Sequence, residues 1–331
     1  MVALYILQKM LAVLILFRLK FIYAILSLLI FFFIFFLKED RGDIIHYTKL
    51  VSNPYGLEPF YAYLIATISI FTENNRTVIL VYQLLVLSLA SSIILFFKEN
   101  KILILSIIFT SIAVMLCVHN NLRQGTSSIF ILIGIIAYIH GNKKIGILTT
   151  LASLGFHSSS ILFISVLCIL GFIYKNFITH LKKDSGVIVS YLISLLLSLI
   201  CIYLLFSYIE ISAYRNYLDL DLASNSSARV DHRTKVFILL FYWLSVEFFI
   251  KFRSVDHQID LFRFLRQYFI FFTILLSLSQ SWFEISNRVL YIFYILDLGL
   301  LCFLVDRKIY RLAVYMLLVY GFAFNIWTII G

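Results

Sequence analysis

Charged residues are scarce, at 13% of the 331-residue chain, whereas 62% are hydrophobic. So few charges cannot cover the surface of a soluble domain, and no polar stretch is long enough to form one separately. There is no P-loop, no HExxH and no CxxC. The four cysteines (Cys117, Cys168, Cys201, Cys302) lie in or beside apolar segments without metal or redox spacing, which speaks against a disulfide framework. Acids inside apolar runs are few. Glu247 and Asp297 stand out, and no chain of acids of the kind a proton-coupled pump uses crosses the apolar runs. Neither an internal repeat nor a low-complexity linker is evident. The N-terminal apolar run lacks a small-residue cleavage site, so it is expected to be retained.

What fills the chain instead is a succession of apolar stretches of roughly 17–23 residues, the length that spans a hydrocarbon core of ~30 Å. With a mean hydropathy of +1.00 this reads as an all-α, polytopic integral membrane bundle. About 11–13 transmembrane helices are expected from the hydropathy pattern, in one multispanning domain over residues 1–331. The candidate spans are 3–17, 21–37, 77–97, 102–118, 123–139, 145–156, 158–174, 186–208, 234–250, 268–284, 289–305 and 312–330. The stretch 60–72, after Pro59, is read as interfacial or re-entrant. The 33 Phe and 21 Tyr suit lipid-facing surfaces and interfacial belts.

The basic residues orient the bundle. Under this span list Arg18/Lys20, Lys98/Lys101, Lys143/Lys144, Lys175/Lys182/Lys183, Lys251/Arg253/Arg263/Arg266 and Arg307/Lys308/Arg311 share one side, which the positive-inside rule makes cytoplasmic. Counting 60–72 as a span would send Lys143/Lys144 outside. The net charge of +10 is thus explained by topology, without nucleic acid. Two longer loops, 38–59 and 209–233, fall on the outer (periplasmic) side, together with the lip at 119–123 and the turns at 157 and 285–288. Polar residues collect on that side.

Arg123, in "VHNNLRQGTSS", demands an anion because it opens an apolar run. A central arginine costs ~2.5–3.5 kcal/mol on insertion scales, less near an interface. Asn120, Arg123, Gln124 and Ser127 stand at i, i+3, i+4 and i+7, one helical face. Asn120 or Asn121 is placed to cap the helix, giving Arg123 the positive end of the dipole and an outward anion site. An arginine snorkelling to headgroups is the plainer alternative; the Asn/Gln/Ser face favours function. His157, in "LGFHSSS", is read on one face with Ser153 and Ser160, with a histidine satisfied by a local carbonyl as the plainer alternative. The first outer loop supplies Arg41, Asp43, His46, Tyr47 and Glu58, with Asp43 and Tyr47 at i, i+4. The second supplies Arg229, Asp231 and Arg233 in "RVDHRTK", a basic patch on the side where positive charge is normally depleted. Arg288 opens a span as Arg123 does.

"NNLRQ" (120–124), an apolar run, a basic turn and then "LASLGFHSSSILF" (151–163) resemble the Asn-x-x-Arg-Gln … Leu-Ala-x-x-x-His pattern of EpsG-type proteins, which are similar to the Wzy class of O-antigen and capsule polymerases. "DRGDIIHY" resembles the Arg…Asp…Tyr pattern of the family's first outer loop, and "LEPFY" its Glu-Pro-aromatic continuation. Arg288 falls where the family often has an arginine before its final spans. The patterned part covers roughly residues 38–170, and the first loop lacks the Gly-Thr-Asp form that many members carry.

The resemblance implies a metal-independent glycosyltransferase-type polymerase in the bacterial cytoplasmic membrane. Such an enzyme moves a growing glycan from its polyprenyl (undecaprenyl) diphosphate to a lipid-linked repeat unit at the outer face. His157, Arg123 and Asp43 are then the catalytic candidates, with His157, Asp43 or Glu58 as the proton acceptor. Arg288, Arg229, Arg233, Asn120, Gln124, Arg41, Tyr47 and Glu58 would bind diphosphate or glycan. No soluble cofactor is implied, since the donor is itself activated. A chain-length regulator and a flippase are the partners such an activity suggests. Rival readings are a polyprenyl-phosphate-dependent glycosyltransferase or O-antigen ligase, and, outside enzymes, a flippase for the same lipid-linked glycans.

Overall fold

The computed structural model describes chiefly residues 43–52, 58–119, 122–157, 160–176, 191–200 and 283–309, with single positions elsewhere. Among the described residues the regular structure is helical. In chain order the helices are α1 (Asp43–Leu50), α2 (Pro59–Ser69), α3 (Asn75–Ser91, continued by a 3₁₀ turn Ser92–Phe96), α4 (Lys101–Thr110), α5 (Ile112–His119), α6 (Leu122–Ile139), α7 (Lys143–Ala152, continued by a 3₁₀ turn Ser153–Gly155), α8 (Ser160–Asn176) and α9 (Phe283–Asp306). Asn75–Phe96 and Leu122–Ile139, of 22 and 18 residues, are long and apolar enough to cross a membrane. The chain is an all-α membrane protein.

Local chemistry sets the helix ends. The Asn74 side chain accepts from the backbone amides of Arg76 and Thr77 and starts α3. Gly141, at φ +87, ends α6, with the Asn142 amide reaching back to the Ala137 carbonyl. The apolar run 102–118, expected as a single span, is instead divided between α4 and α5. Ser111 leaves helical geometry (φ −72, ψ 130), and its hydroxyl accepts the Ala113 amide, capping a new helix. An apolar run gives no sign of this, because the serine that breaks it is a single residue.

Residues 10–166 and 297–310 form one compact unit. Within it α6 is the central post. Its Gly134 touches Gly146 of α7 so closely that an added Cβ would meet the Gly146 carbonyl oxygen at 2.8 Å and Thr150 Oγ1 at 2.0 Å. On another side Gly125 lies against Cys117 of α5, where an added Cβ would approach the Cys117 Cα to 2.6 Å. Small residues thus let backbones approach where lipid provides no hydrophobic drive for helix association. In the other unit, Ser198 in the apolar helix Tyr191–Ile200 donates to the Phe271 carbonyl at 3.5 Å.

The two ends of α6 differ chemically. At its C-terminal end the ring of His140 packs edge-on against Phe97 at 5.4 Å, and Asn100 Nδ2 donates to the Val305 carbonyl at 3.0 Å. That end gathers Lys98, Lys101, Lys143, Lys144, Arg307 and Lys308, all exposed. The Lys308–Glu99 pair there, at 2.6 Å, is a solvent-facing bridge that contributes little.

The N-terminal end of α6 begins below the start of α3. Tyr82 Oη hydrogen-bonds Thr126 Oγ1 at 2.8 Å, and Gln83 Nε2 donates to the Val118 carbonyl at 2.8 Å. Tyr82 lies seven residues into α3 and Thr126 four residues into α6, so the head of α6 is recessed by about 4–5 Å along α3 at 1.5 Å rise per residue. The helix α2, with 11 residues, is about 16 Å long and too short to span ~30 Å of hydrocarbon.

Candidate functional site

Three loops and helix heads meet at that recessed end. Glu58 precedes Pro59, which fixes it in extended geometry (φ −56, ψ 140) at the head of α2. From this N-cap position the Glu58 side chain makes no capping bond, as its length beyond that of aspartate allows. It reaches outward instead. Arg123, in the first turn of α6, donates from Nη1 to Glu58 Oε2 at 2.6 Å. His157 Nδ1 lies 2.9 Å from the other oxygen, Oε1. One carboxylate therefore joins an arginine 65 residues away to a histidine 99 residues away.

The guanidinium is held by aromatic rings as well as by charge. Its carbon lies 5.9 Å from the ring centroids of both Tyr47 (α1) and Tyr61 (α2), within cation–π range. Tyr61 in turn packs edge-on against Tyr82 of α3 at 5.2 Å. Arg123, Glu58 and His157 retain 24%, 13% and 11% side-chain exposure, so the cluster is largely but not wholly closed. The anion Arg123 meets in this structure is thus a carboxylate of the same chain.

His157 is positioned by its neighbours rather than by a helix. The backbone amide of His157 donates to the Ser153 carbonyl at 3.2 Å, and its own carbonyl accepts from Ser160 at 3.1 Å. Phe156 stacks on Phe130 at 5.1 Å and meets Phe60 edge-on at 5.9 Å. Gly155 allows this approach: a Cβ there would sit 2.3 Å from the Phe60 ring. Ser153, His157 and Ser160 do not share a helical face, contrary to the expectation from spacing. Ser153 bonds the Thr150 carbonyl within a 3₁₀ turn, His157 lies in the bend, and Ser160 opens α8, its hydroxyl paired with Ser127 of α6. The α-helix gives way to the 3₁₀ turn Ser153–Gly155 before the histidine is reached.

Burial opposes ionisation of Glu58, but the hydrogen bond from His157, a backbone amide and the Arg123 charge outweigh it. Together they hold the carboxyl at about 2, below the ordinary 4.5. Because the folded value is the lower one, the stabilisation from this carboxylate is fully present above pH 4.5 and is lost as the pH falls through about 2. Acidifying detergent-solubilised protein across that interval is expected to lower its melting temperature, and Glu58→Gln to remove part of that dependence. Parallel acid profiles for the two proteins would contradict the assignment.

Of the residues singled out by sequence, Arg123, His157, Glu58 and Tyr47 come together here. Gln124 follows Arg123 on α6 and is buried. Asp43 opens α1, and Arg288 lies on α9 in the part belonging to the other unit. Arg41, Asn120, Arg229 and Arg233 lie outside the described residues. Tyr61 was not singled out. It closes the quoted "LEPFY", three residues after Glu58 and about one helical turn along α2.

Residues 20–331, nearly the whole chain, match the model of the EpsG family. No curated protein and no solved structure matches the chain.

Proposed function

The chain belongs to the EpsG family, which supports a polysaccharide-polymerase type of function, and from that premise we propose that it extends surface glycans at the Arg123–Glu58–His157 cluster. The donor is a growing glycan on polyprenyl diphosphate, and the acceptor is the end sugar of a lipid-linked repeat unit. The product is O-antigen, capsule or exopolysaccharide. The single observation that carries this reading is the Glu58 bridge, which prepares an arginine and a histidine side by side for two halves of one reaction.

The acceptor hydroxyl attacks the anomeric carbon of the donor. A C–O bond forms as the bond from that carbon to the diphosphate breaks, and the diphosphate leaves with the electron pair. Arg123 offsets its charge: a planar guanidinium keeps its proton and forks onto phosphate oxygens. Fixed cations of this kind, in a site shielded from water, lower the barrier by several kcal/mol. The hydroxyl proton passes to His157. Glu58 accepts from Nδ1–H, which leaves the lone pair of Nε2 for the substrate. Glu58 itself, held at about 2, is a poor base. Its role in this reading is to orient His157 and to compensate Arg123 before substrate arrives.

The distribution of charge supports an outward-facing site. Six exposed lysines and arginines cluster at the far end of α6, against exposed Lys49 on α1 and Arg76 at the start of α3, and the positive-inside rule assigns the richer end to the cytoplasm. The cluster then opens toward the outer face of the cytoplasmic membrane. Tyr47 flanks the guanidinium. Asp43, Arg41, Asn120, Gln124, Arg229, Arg233 and Arg288 remain candidates for sugar or second-phosphate binding, and the reaction as written needs no metal.

Deleting the gene tests the function directly. The expected surface glycan profile on a gel is a single repeat unit per lipid, restored to a ladder by the wild-type gene. Absence of any surface glycan would point to a flippase, and an unchanged ladder would overturn the proposal.

A further inference from the structure

Among the described residues, two buried side-chain polar atoms have no hydrogen-bond partner: Arg123 Nε and Tyr61 Oη. They belong to neighbours, since the Arg123 guanidinium carbon lies 5.9 Å from the Tyr61 ring centroid. Tyr61 is 1% exposed and Arg123 about one-quarter. Among the described residues buried side-chain polar atoms are otherwise answered, even where the partner is distant in sequence, as for Gln83 with the Val118 carbonyl or Tyr82 with Thr126. A buried hydroxyl without a partner is destabilising, so its retention calls for a reason. An N–H cannot accept, and a phenol donates well, so what the two atoms share is the want of an acceptor. Glu58 does not fill that want. Its oxygens are engaged with Arg123 Nη1 and His157.

We propose that Tyr61 is a substrate-binding residue, its hydroxyl donating to an oxygen of the same phosphoryl group that takes the Arg123 Nε–H. This rests on the reading of Arg123 as the diphosphate site and adds the residue that completes it. Tyr61 also ties the anion to α2: the helix whose head carries Glu58 carries, one turn later, the phenol. Binding the diphosphate would satisfy both orphaned donors without displacing the Glu58–His157 hydrogen bond.

The test uses full-length protein in detergent, titrated with undecaprenyl diphosphate and, separately, with inorganic diphosphate, while its melting temperature is followed. Wild type is expected to be stabilised by the lipid diphosphate. Tyr61→Phe keeps the ring stacked on Arg123 and removes one oxygen. It is expected to melt at or above the wild-type temperature without ligand, yet to bind the lipid diphosphate at least about tenfold more weakly, the factor equivalent to 1.4 kcal/mol. A parallel loss for inorganic diphosphate would assign recognition to the phosphates alone, and a loss confined to the lipid would assign it to the anchored diphosphate; both support the contact. Equal binding by the two proteins would overturn the Tyr61 assignment while leaving the Arg123 reading in place. A lower melting temperature for unliganded Tyr61→Phe would also overturn it, as the mark of a structural hydroxyl. Failure of wild type to bind either probe would remove the diphosphate site itself.

Discussion

Arg123→Ala is expected to stop chain elongation, leaving surface glycans of one repeat unit while the protein still inserts in the membrane. Two effects are combined in that variant and differ in size. Loss of one preorganised charge donor at a developing anion typically lowers turnover by 10²–10³, equivalent to about 2.7–4 kcal/mol. Removing one partner of a buried ion pair destabilises by about 3–5 kcal/mol because the other charge is left uncompensated. The stability loss here falls at or below the lower end of that range. Glu58 keeps its hydrogen bond to His157 at 2.9 Å, and Arg123 is partly exposed. Arg123→Lys keeps the charge but not the planar fork and should restore elongation poorly. Normal ladders from Arg123→Ala at normal protein level would remove the residue from the mechanism.

Gly134→Leu is expected to have the larger effect on the fold. The position faces backbone: even a Cβ would lie 2.8 Å from the Gly146 carbonyl oxygen, and Thr150 Oγ1 stands closer still. Thr150 cannot simply turn away, because its hydroxyl is bonded to that same carbonyl at 2.8 Å. The leucine must therefore push α7 off α6. Overpacking costs about 1–3 kcal/mol where side chains can yield and more where backbone must move. Since α7 leads directly to the bend carrying His157, polymer should be lost together with the monodisperse peak on size-exclusion chromatography in detergent. Gly141→Ala is the contrast. Open space surrounds Gly141, so only the strain of its positive φ opposes the change, about 1–2 kcal/mol. A monodisperse, active Gly134→Leu protein would contradict the α6–α7 packing.

How far the sequence discloses this arrangement depends on the kind of signal. Arg123 is conspicuous because a cation at the head of an apolar run is expensive, and His157 because ionisable residues between such runs are rare. The grouping of basic residues is partly legible too: lysines and arginines recur between apolar runs of the sequence, and in the structure six of them gather at one end of α6. Glu58 is visible only as one acid in a charged loop. Its partnership with Arg123 and His157 spans 65 and 99 residues, and no periodicity encodes such a pairing. Tyr61 is harder still, one tyrosine among 21 in a chain rich in aromatics. Only its burial and its unanswered hydroxyl distinguish it. The break at Ser111 was hidden for a related reason: a cap is a local hydrogen bond, and hydropathy averages over it.

The double variant Glu58→Gln/Arg123→Met separates architecture from chemistry. Both members of the ion pair become neutral at nearly constant volume, and replacing such a pair together is often neutral for stability where breaking it is not. The decisive measurement is the gel profile of surface glycans from a deletion strain expressing this variant at wild-type abundance in the membrane. The account predicts a stably inserted protein and glycans of a single repeat unit. A full ladder from the charge-free variant would mean that the cluster serves only to hold the helices together, and that polymerisation takes place elsewhere in the chain.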